Sequence, residues 1–489
     1  MNLRRQAARG VFWTAAGNWG YQLATLVVFS ILANLLTPKA FGLVALASVF
    51  VAAMKLIQEQ GMADALVQRQ DLEPEHLDTA FWISVGLSVA LALVLTLGSS
   101  LLAGIVNEPD VAPILAWLSL SLILSGFSSV QRAILTRELR FASLTVRTLS
   151  SVVAGGVVGV TAAFAGFGVW ALVAQLITLE LVGVIALWTA SDWRPSFRFS
   201  RSHFRELFVF GSSVLGFRLL RFADRRVDNL MVGSLIGATA LGFYVIAYRL
   251  LNLIINVTTS VIGSVAFPVF SRIQGEPEQV RKAYYKAVRQ ISVVSFPAFI
   301  GILVVAPQVT RLVFGSQWDA SVPVMQVLAI AGLAQSVLFV NGVVLKSLGR
   351  PGWRLVIMAV SVAFLVAAFA VAVQWGIVAV AWALVVVTYG MAPVWLAATN
   401  RLVGLAVRPY LGQVGPPFIA SMMMAGLLVG LELVVDGWPL LWQVVMLIGT
   451  GIATYSLILW LVARPMAKET LSLVRLSIPK RGPTGSEAG

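Results

Sequence analysis

Long apolar runs without a single charge decide what this chain can fold into. Residues 11–36, 79–106, 111–131, 148–179 and 355–400 contain no Asp, Glu, Lys or Arg. A bilayer core takes about 20 apolar residues per helix, so each run is long enough to span it. The two longest must turn and span again, at Gly166-Phe167-Gly168 and at Gln374-Trp375-Gly376. The runs lack the period-two alternation of a membrane barrel strand. A chain in hydrocarbon must then satisfy its backbone as helix. The fold class expected is an all-α polytopic membrane protein of fourteen spans: 11–36, 41–62, 79–105, 112–132, 146–165, 169–190, 206–235, 241–266, 289–314, 320–345, 354–373, 377–399, 411–435 and 439–463.

Positive charge gathers in alternate connections. Of 35 Lys and Arg residues, only Lys39 and seven intramembrane ones fall outside that set. The basic set comprises the N-terminus, 132–147, 191–205, 267–289, 346–354, 400–410 and the C-terminal tail; the connection 63–78 on the same side is the exception, holding Arg69 against Asp64, Asp71, Glu73, Glu75 and Asp78. The opposite connections are short and carry Glu108, Asp110, Asp319 and Asp436. By the positive-inside rule the basic set is cytoplasmic, which puts both termini inside. A net charge of +14 therefore follows from topology and implies no nucleic-acid partner. With no Cys there is no disulfide framework and no thiolate metal site, and His76 and His203 sit in separate loops. No metal, no cofactor and no enzymatic centre is expected.

The chain repeats itself with an offset near 200 residues. Leu32 to Gly42 reads against Val232 to Gly242, and Gly168-Val169-Trp170-Ala171 against Gly376-Ile377-Val378-Ala379. Six spans precede residue 191 and six lie between 206 and 399. Both sets start on the same side, so the repeat is parallel, a plan on which transporters place substrate between lobes. The domains expected are an N-lobe at 1–190, a basic linker at 191–205 and a C-lobe at 206–399. An appended helix pair at 410–463 and a cytoplasmic tail at 464–489 complete the chain.

Basic residues inside lipid are expensive and mark function. They are Lys55, Arg218, Arg221, Arg225, Arg226, Arg249 and Arg311. In the seventh span, Arg218, Arg221, Arg225 and Asp228 recur at helical spacing and share one face, with Asp224 beside it. Guanidinium forks donate bidentately to phosphate and stay charged. The competing reading is a structural network, Arg221–Asp224 and Arg225–Asp228. In the second span Lys55 and Glu59 are i,i+4 neighbours that can neutralise each other. The eighth span offers Tyr248, Arg249, Asn252, Asn256 and Thr259, a polar stripe that serves either a sugar or helix packing. The first span presents Thr14, Asn18, Tyr21, Gln22 and Thr25 without charge. Glu180 is the loneliest acid, open to proton relay or to capping by a neighbour. Glu59, Glu180, Asp224 and Asp228 are the candidates for ion coupling or charge pairing.

Several stretches are similar to a known family. They are Phe41-Gly42-Leu43-Val44-Ala45-Leu46-Ala47, Gly61 to Arg69, Asp78-Thr79-Ala80-Phe81-Trp82, Gly168 to Val173, Ala266 to Arg272, and Phe314-Gly315-Ser316-Gln317-Trp318. Over roughly 5–400 the chain resembles the polysaccharide-exporter branch, of O-antigen and colanic-acid flippase type, in the multidrug/oligosaccharidyl-lipid/polysaccharide exporter superfamily. That resemblance implies a transporter moving polyprenyl-diphosphate-linked oligosaccharide from the inner to the outer leaflet of a bacterial inner membrane. It implies a cavity lined by spans 1, 2, 7 and 8, with Arg218, Arg221, Arg225, Arg249, Lys55, Asn18, Gln22, Asn252 and Asn256 toward headgroup and glycan. Partners would be the lipid-linked oligosaccharide, membrane lipids, and a polysaccharide polymerase with its export machinery. The first span departs from two sister branches, having neither the cations of lipid II flippases nor the acid of multidrug exporters. A multidrug or organic-cation antiporter and a membrane glycan polymerase are the alternatives. The arginine row argues against the first, and outer connections of about seven residues or fewer against the second.

Overall fold

The computed structural model describes residues 3–59, 62–69 and 71–466, and every regular element among them is helical. The chain opens with α1 (Leu3–Leu35), α2 (Pro38–Gln58), α3 (Met62–Gln68), α4 (Pro74–Leu97), α5 (Ser99–Ile105), α6 (Val111–Leu118) and α7 (Leu120–Arg137). Next come α8 (Phe141–Phe164), α9 (Val169–Ala190), α10 (Arg201–Leu235), α11 (Ala238–Arg272) and α12 (Pro277–Val313). The last are α13 (Val322–Ser347), α14 (Pro351–Ala372), α15 (Ile377–Val403), α16 (Val407–Val435) and α17 (Leu440–Val462). Among the described residues 12 helices are long and apolar enough to cross a membrane. The protein is a multi-pass membrane protein. Most of the expected tail, 467–489, lies outside the described residues.

Several helices run further than expected. The connection placed at 132–147 shrinks to 138–140, and that at 267–289 to 273–276. Charge alone ended those helices on paper, yet Arg and Lys are good helix formers and continue a helix wherever water or a neighbour receives the head. The span 79–105 bends at Gly98, and 112–132 at Ser119. Ser99 Oγ donates to Thr96 O at 2.8 Å and Ser119 Oγ to Ala116 O at 2.7 Å, with Thr96 and Ser119 hydroxyls 2.8 Å apart. Such back-bonding weakens the local ladder and bends a helix.

Packing divides the chain into two units. The first comprises 1–249, 313–324 and 358–387; the second comprises 250–312, 325–357 and 388–489. In the first unit α2 and α11 cross in backbone contact. A Cβ on Gly42 would stand 1.6 Å from Ala238 O, and one on Gly242 would stand 2.0 Å from Pro38 O. The contact is reciprocal: residues 38 and 42 meet 242 and 238, the positions that the repeat relates. Only glycine permits it.

Around the crossing four helix ends find a side chain. Thr37 Oγ1 accepts from Ala40 N at 3.4 Å, and Glu108 Oε1 accepts from Ala238 N at 2.7 Å. The terminal carbonyls of α1 are met by Trp318 Nε1 (to Ala33 O, 2.9 Å) and Gln317 Nε2 (to Ala33 O, 2.5 Å; to Leu36 O, 3.3 Å). In return Asn34 Nδ2 donates at 3.0 Å to Val313 O, the end of α12, and Ser30 Oγ donates to the same oxygen. Helix-terminal carbonyls left bare at membrane depth cost several kcal/mol each, so the Gly315-Ser316-Gln317-Trp318 motif is a cap.

In the second unit α12 is the axis. Tyr284 Oη donates to Asn341 Oδ1 on α13 at 3.1 Å, and Thr399 Oγ1 on α15 donates to the same oxygen at 2.7 Å. The appended pair is tied to α12 by Gln308 Nε2 to Glu432 Oε1 (2.6 Å) and Tyr455 Oη to Val293 O (2.8 Å).

Substituting Gly42→Ala or Gly242→Ala should destabilise the protein by about 3 kcal/mol or more, because a carbonyl cannot yield as a side chain can. Gly86, with nothing within 4 Å of its missing Cβ, is the control. There Ala should be neutral or stabilising by about 1 kcal/mol. Thermal melts of the detergent-solubilised variants decide between these outcomes.

Candidate functional site

The arginine row occupies the middle of α10. Arg218 Nη1 donates to Glu59 O at 2.8 Å. Glu59 is the C-cap of α2, whose N–H returns to Lys55 O, so its carbonyl lies at an open helix end. A guanidinium there answers both the unpaired carbonyls and the negative end of the helix dipole. One and two turns further, Arg221 and Arg225 are exposed, with exposed Asp224 between them. Arg226 is half-buried.

Asp228 departs from the expected face. It is 4% exposed, accepting from Tyr244 Oη at 3.3 Å and from the Asn229 backbone N–H at 2.7 Å. The Tyr248 ring packs beside that of Tyr244, with centroids 5.1 Å apart. At 100° per residue Asp228 sits about 80° from Arg218, at the edge of the arc, where α11 covers it. The Arg225–Asp228 pair of the competing reading is therefore not formed, and the exposed part of the row carries Arg221 and Arg225 against a single acid.

Lys55 also differs from expectation. Its Nζ lies 2.5 Å from Glu180 Oε1 on α9. Glu59 belongs to the cap rather than the helix and is not its partner, because α2 ends one residue earlier. Glu180 is thus capped by a neighbour rather than alone.

Arg249, on α11, lays its guanidinium over the Phe29 ring at 4.9 Å, with Tyr21 within electrostatic reach. A cation over an aromatic face is held by the ring quadrupole and keeps its donors free. Phe29 is itself fixed edge-on by Phe41 (5.2 Å) and Phe314 (6.0 Å). On α1, Asn18 is exposed and Gln22 half-buried. In the second unit, Asn252 and Asn256 continue α11 beyond Arg249 as an exposed i,i+4 pair. Thr259 leaves that stripe: it is buried, and its hydroxyl bonds Ile255 O at 2.7 Å.

Two cations escaped the sequence reading. Arg132 and Arg147, assigned to a loop, lie inside α7 and α8. The available signal was the tight charged stretch Arg137-Glu138-Leu139-Arg140, whose Leu139 has φ +57° and makes the whole turn.

A stability comparison separates the two roles read on α10. Tyr244→Phe removes a donor from a buried carboxylate and should cost about 1.5–3 kcal/mol. Arg225→Ala, at an exposed and unbridged position, should stay within about 0.5 kcal/mol of wild type. The reverse order in thermal melts would mean that Arg225, not Tyr244, holds Asp228.

Comparison with known proteins places the chain. Residues 31–323 match the family described as "Polysaccharide biosynthesis protein". The succinoglycan biosynthesis transport protein ExoT of Rhizobium meliloti is 28% identical, covering 99% of this chain and 98% of that protein. The lipopolysaccharide biosynthesis protein WzxC of Escherichia coli K12 is 27% identical over 69% of each chain. Among solved structures, the lipid II flippase MurJ in its inward closed conformation superimposes with a TM-score of 0.75. It covers 93% of this chain and 99% of its own at 11% identity, a likeness of fold. More than half of the sequence lies inside the family match, and its helices follow the fold of that flippase. This chain is a member of the polysaccharide biosynthesis protein family.

Proposed function

We propose that the protein flips polyprenyl-diphosphate-linked oligosaccharide from the inner to the outer leaflet of a bacterial inner membrane, by alternating access, during surface polysaccharide synthesis. Both termini are cytoplasmic in this reading, and the two lobes are 1–190 and 206–399. The observation that carries it is the sign of the charge on α10. Arg221 and Arg225 are exposed on α10 with Asp224 the one exposed acid beside them, and Asp228 is sequestered by Tyr244. An organic-cation carrier needs the opposite sign.

The physical problem is a diphosphate in hydrocarbon, where an unpaired charge costs tens of kcal/mol by Born solvation and considerably less after relaxation. Arg218, Arg221, Arg225 and Arg249 replace water for the diphosphate with fixed donors, while the polyprenyl tail stays in lipid. Lys55 adds a cation that Glu180 holds in reserve. Asn18, Gln22, Asn252 and Asn256 offer amides to sugar hydroxyls. ExoT and WzxC, by their names, serve polysaccharide transport and synthesis, which supports the same substrate class. Polymerase and export components would act on the product. Glu59, Glu180, Asp224 and Asp228 remain the acids available for coupling, and Asp228, sealed by Tyr244, is the least accessible of them.

Arg221→Ala and Arg218→Ala should each lower surface polysaccharide more than tenfold while the protein accumulates normally in membranes. Quantifying extracted polysaccharide beside an immunoblot of the membrane fraction reads both. Wild-type polysaccharide in both variants overturns the proposal.

A further inference from the structure

A second group of cations, on helices other than α10, lies inside the N-terminal bundle of the first unit. Arg147 on α8 presses its guanidinium onto α9 where that helix has no side chain. A Cβ on Gly183 would stand 3.0 Å from Arg147 Nη2, 3.1 Å from its Nε and 3.2 Å from Ser151 Oγ. One turn along α9 from Gly183, Glu180 holds Lys55 of α2. Arg132 of α7 lies close enough to Arg147 for their charges to repel, and Glu180 lies within reach of Arg147 as well. Trp188 Nε1 of α9 donates to Phe127 O of α7 at 2.9 Å, which fastens these two helices together. Four helices thus bring three cations to one acid.

That acid is already spent on Lys55. The Nε atoms of Arg132 and Arg147 are buried and have no hydrogen-bond partner. Two like charges side by side, each with an unanswered buried donor, cost free energy unless an anion joins them. The group is not sealed: Arg132 and Arg147 are only half-buried, and the Lys55 and Glu180 side chains keep 27% and 18% of their exposure. Planar forks on α7 and α8, with an ammonium on α2 packed against the same α9, suit a tetrahedral oxyanion, to which Arg binds bidentately and Lys as a point charge.

We propose that Arg132, Arg147 and Lys55 form a second phosphate-binding site within the N-terminal bundle, whose ligand draws Lys55 away from Glu180. Glu180 is the site's competitor: it holds Lys55 when the site is empty and releases it to a stronger anion. Gly183 is the slot that lets Arg147 reach the site. The ligand chemistry is phosphate or diphosphate, either free in water or as the headgroup of an isoprenoid lipid.

The test uses full-length protein in nanodiscs of phosphatidylcholine, which supply no competing anionic headgroup. The background carries Arg218→Ala, Arg221→Ala and Arg225→Ala, and calorimetric titration uses inorganic pyrophosphate and, separately, farnesyl diphosphate. Arg132→Gln and Arg147→Gln should each weaken binding about tenfold or more, the effect of removing a charge-assisted donor. Gly183→Val should weaken it comparably by displacing Arg147. Glu180→Gln should tighten binding about tenfold, whereas a purely structural Lys55–Glu180 pair predicts no gain. Equal affinity for both probes marks a site for the free anion, and a clear preference for farnesyl diphosphate marks a lipid headgroup. Either supports the site. Affinity unchanged within twofold in Arg132→Gln and Arg147→Gln, no tightening in Glu180→Gln, or no binding of either probe overturns it. Arg132→Gln reads the result alone should Arg147→Gln not insert. Because the α10 row is absent from this background, failure here leaves the α10 reading standing, and failure of the export test leaves this titration intact.

Discussion

Where α2 crosses α11, two backbones touch, and much of the first unit follows from that contact. Gly42 lies against Ala238 O and Gly242 against Pro38 O, so neither helix can slide or turn without a collision. The crossing fixes the hairpin of α1 and α2 against that of α10 and α11. From it come the stacking of Arg249 on Phe29 and the reach of Arg218 to the end of α2. The caps made by Glu108, Gln317 and Trp318 close the same end of the unit. Small residues at a crossing are how membrane helices approach closely without a hydrophobic driving force between them.

The second constraint is the price of charge in an apolar bundle, which the fold meets differently at each cation. Arg218 has a helix-end carbonyl, Arg249 an aromatic face and Lys55 a carboxylate. Arg221 and Arg225 are exposed, and the buried Nε atoms of Arg132 and Arg147 are unanswered. A guanidinium with one internal contact keeps further donors, so Arg218 and Arg249 position helices and still offer donors to an anion, as Arg221 and Arg225 do. Asp228 is structural, since a tyrosine hydroxyl and a backbone amide occupy its oxygens.

Much was legible in the sequence. The apolar runs gave the helices, and the alignment of Leu241-Gly242 with Phe41-Gly42 named the very residues that touch. The motif Phe314-Gly315-Ser316-Gln317-Trp318 stood out without showing what it caps, because its acceptors are some 280 residues away. For Lys55 the sequence offers Glu59 as one possible partner, because i,i+4 spacing is visible in a sequence and a partner on α9 is not. Arg132 and Arg147 were lost to a loop because a charge beside an apolar run looks like the edge of the membrane.

The sequence by itself determined the fold class and most of the membrane-spanning helices, since charge-free runs of this length without strand alternation satisfy their backbone in hydrocarbon only as helix. It also determined which cations lie in apolar surroundings on α10 and α11. Only the tertiary structure decided which of them are free, which are bonded to a helix end, a ring or an acid, and that two more lie within the bundle. Periodicity fixes the direction of a side chain around its own helix. Whether a charge there is answered depends on atoms that another helix brings within about 3 Å, and that is a property of packing.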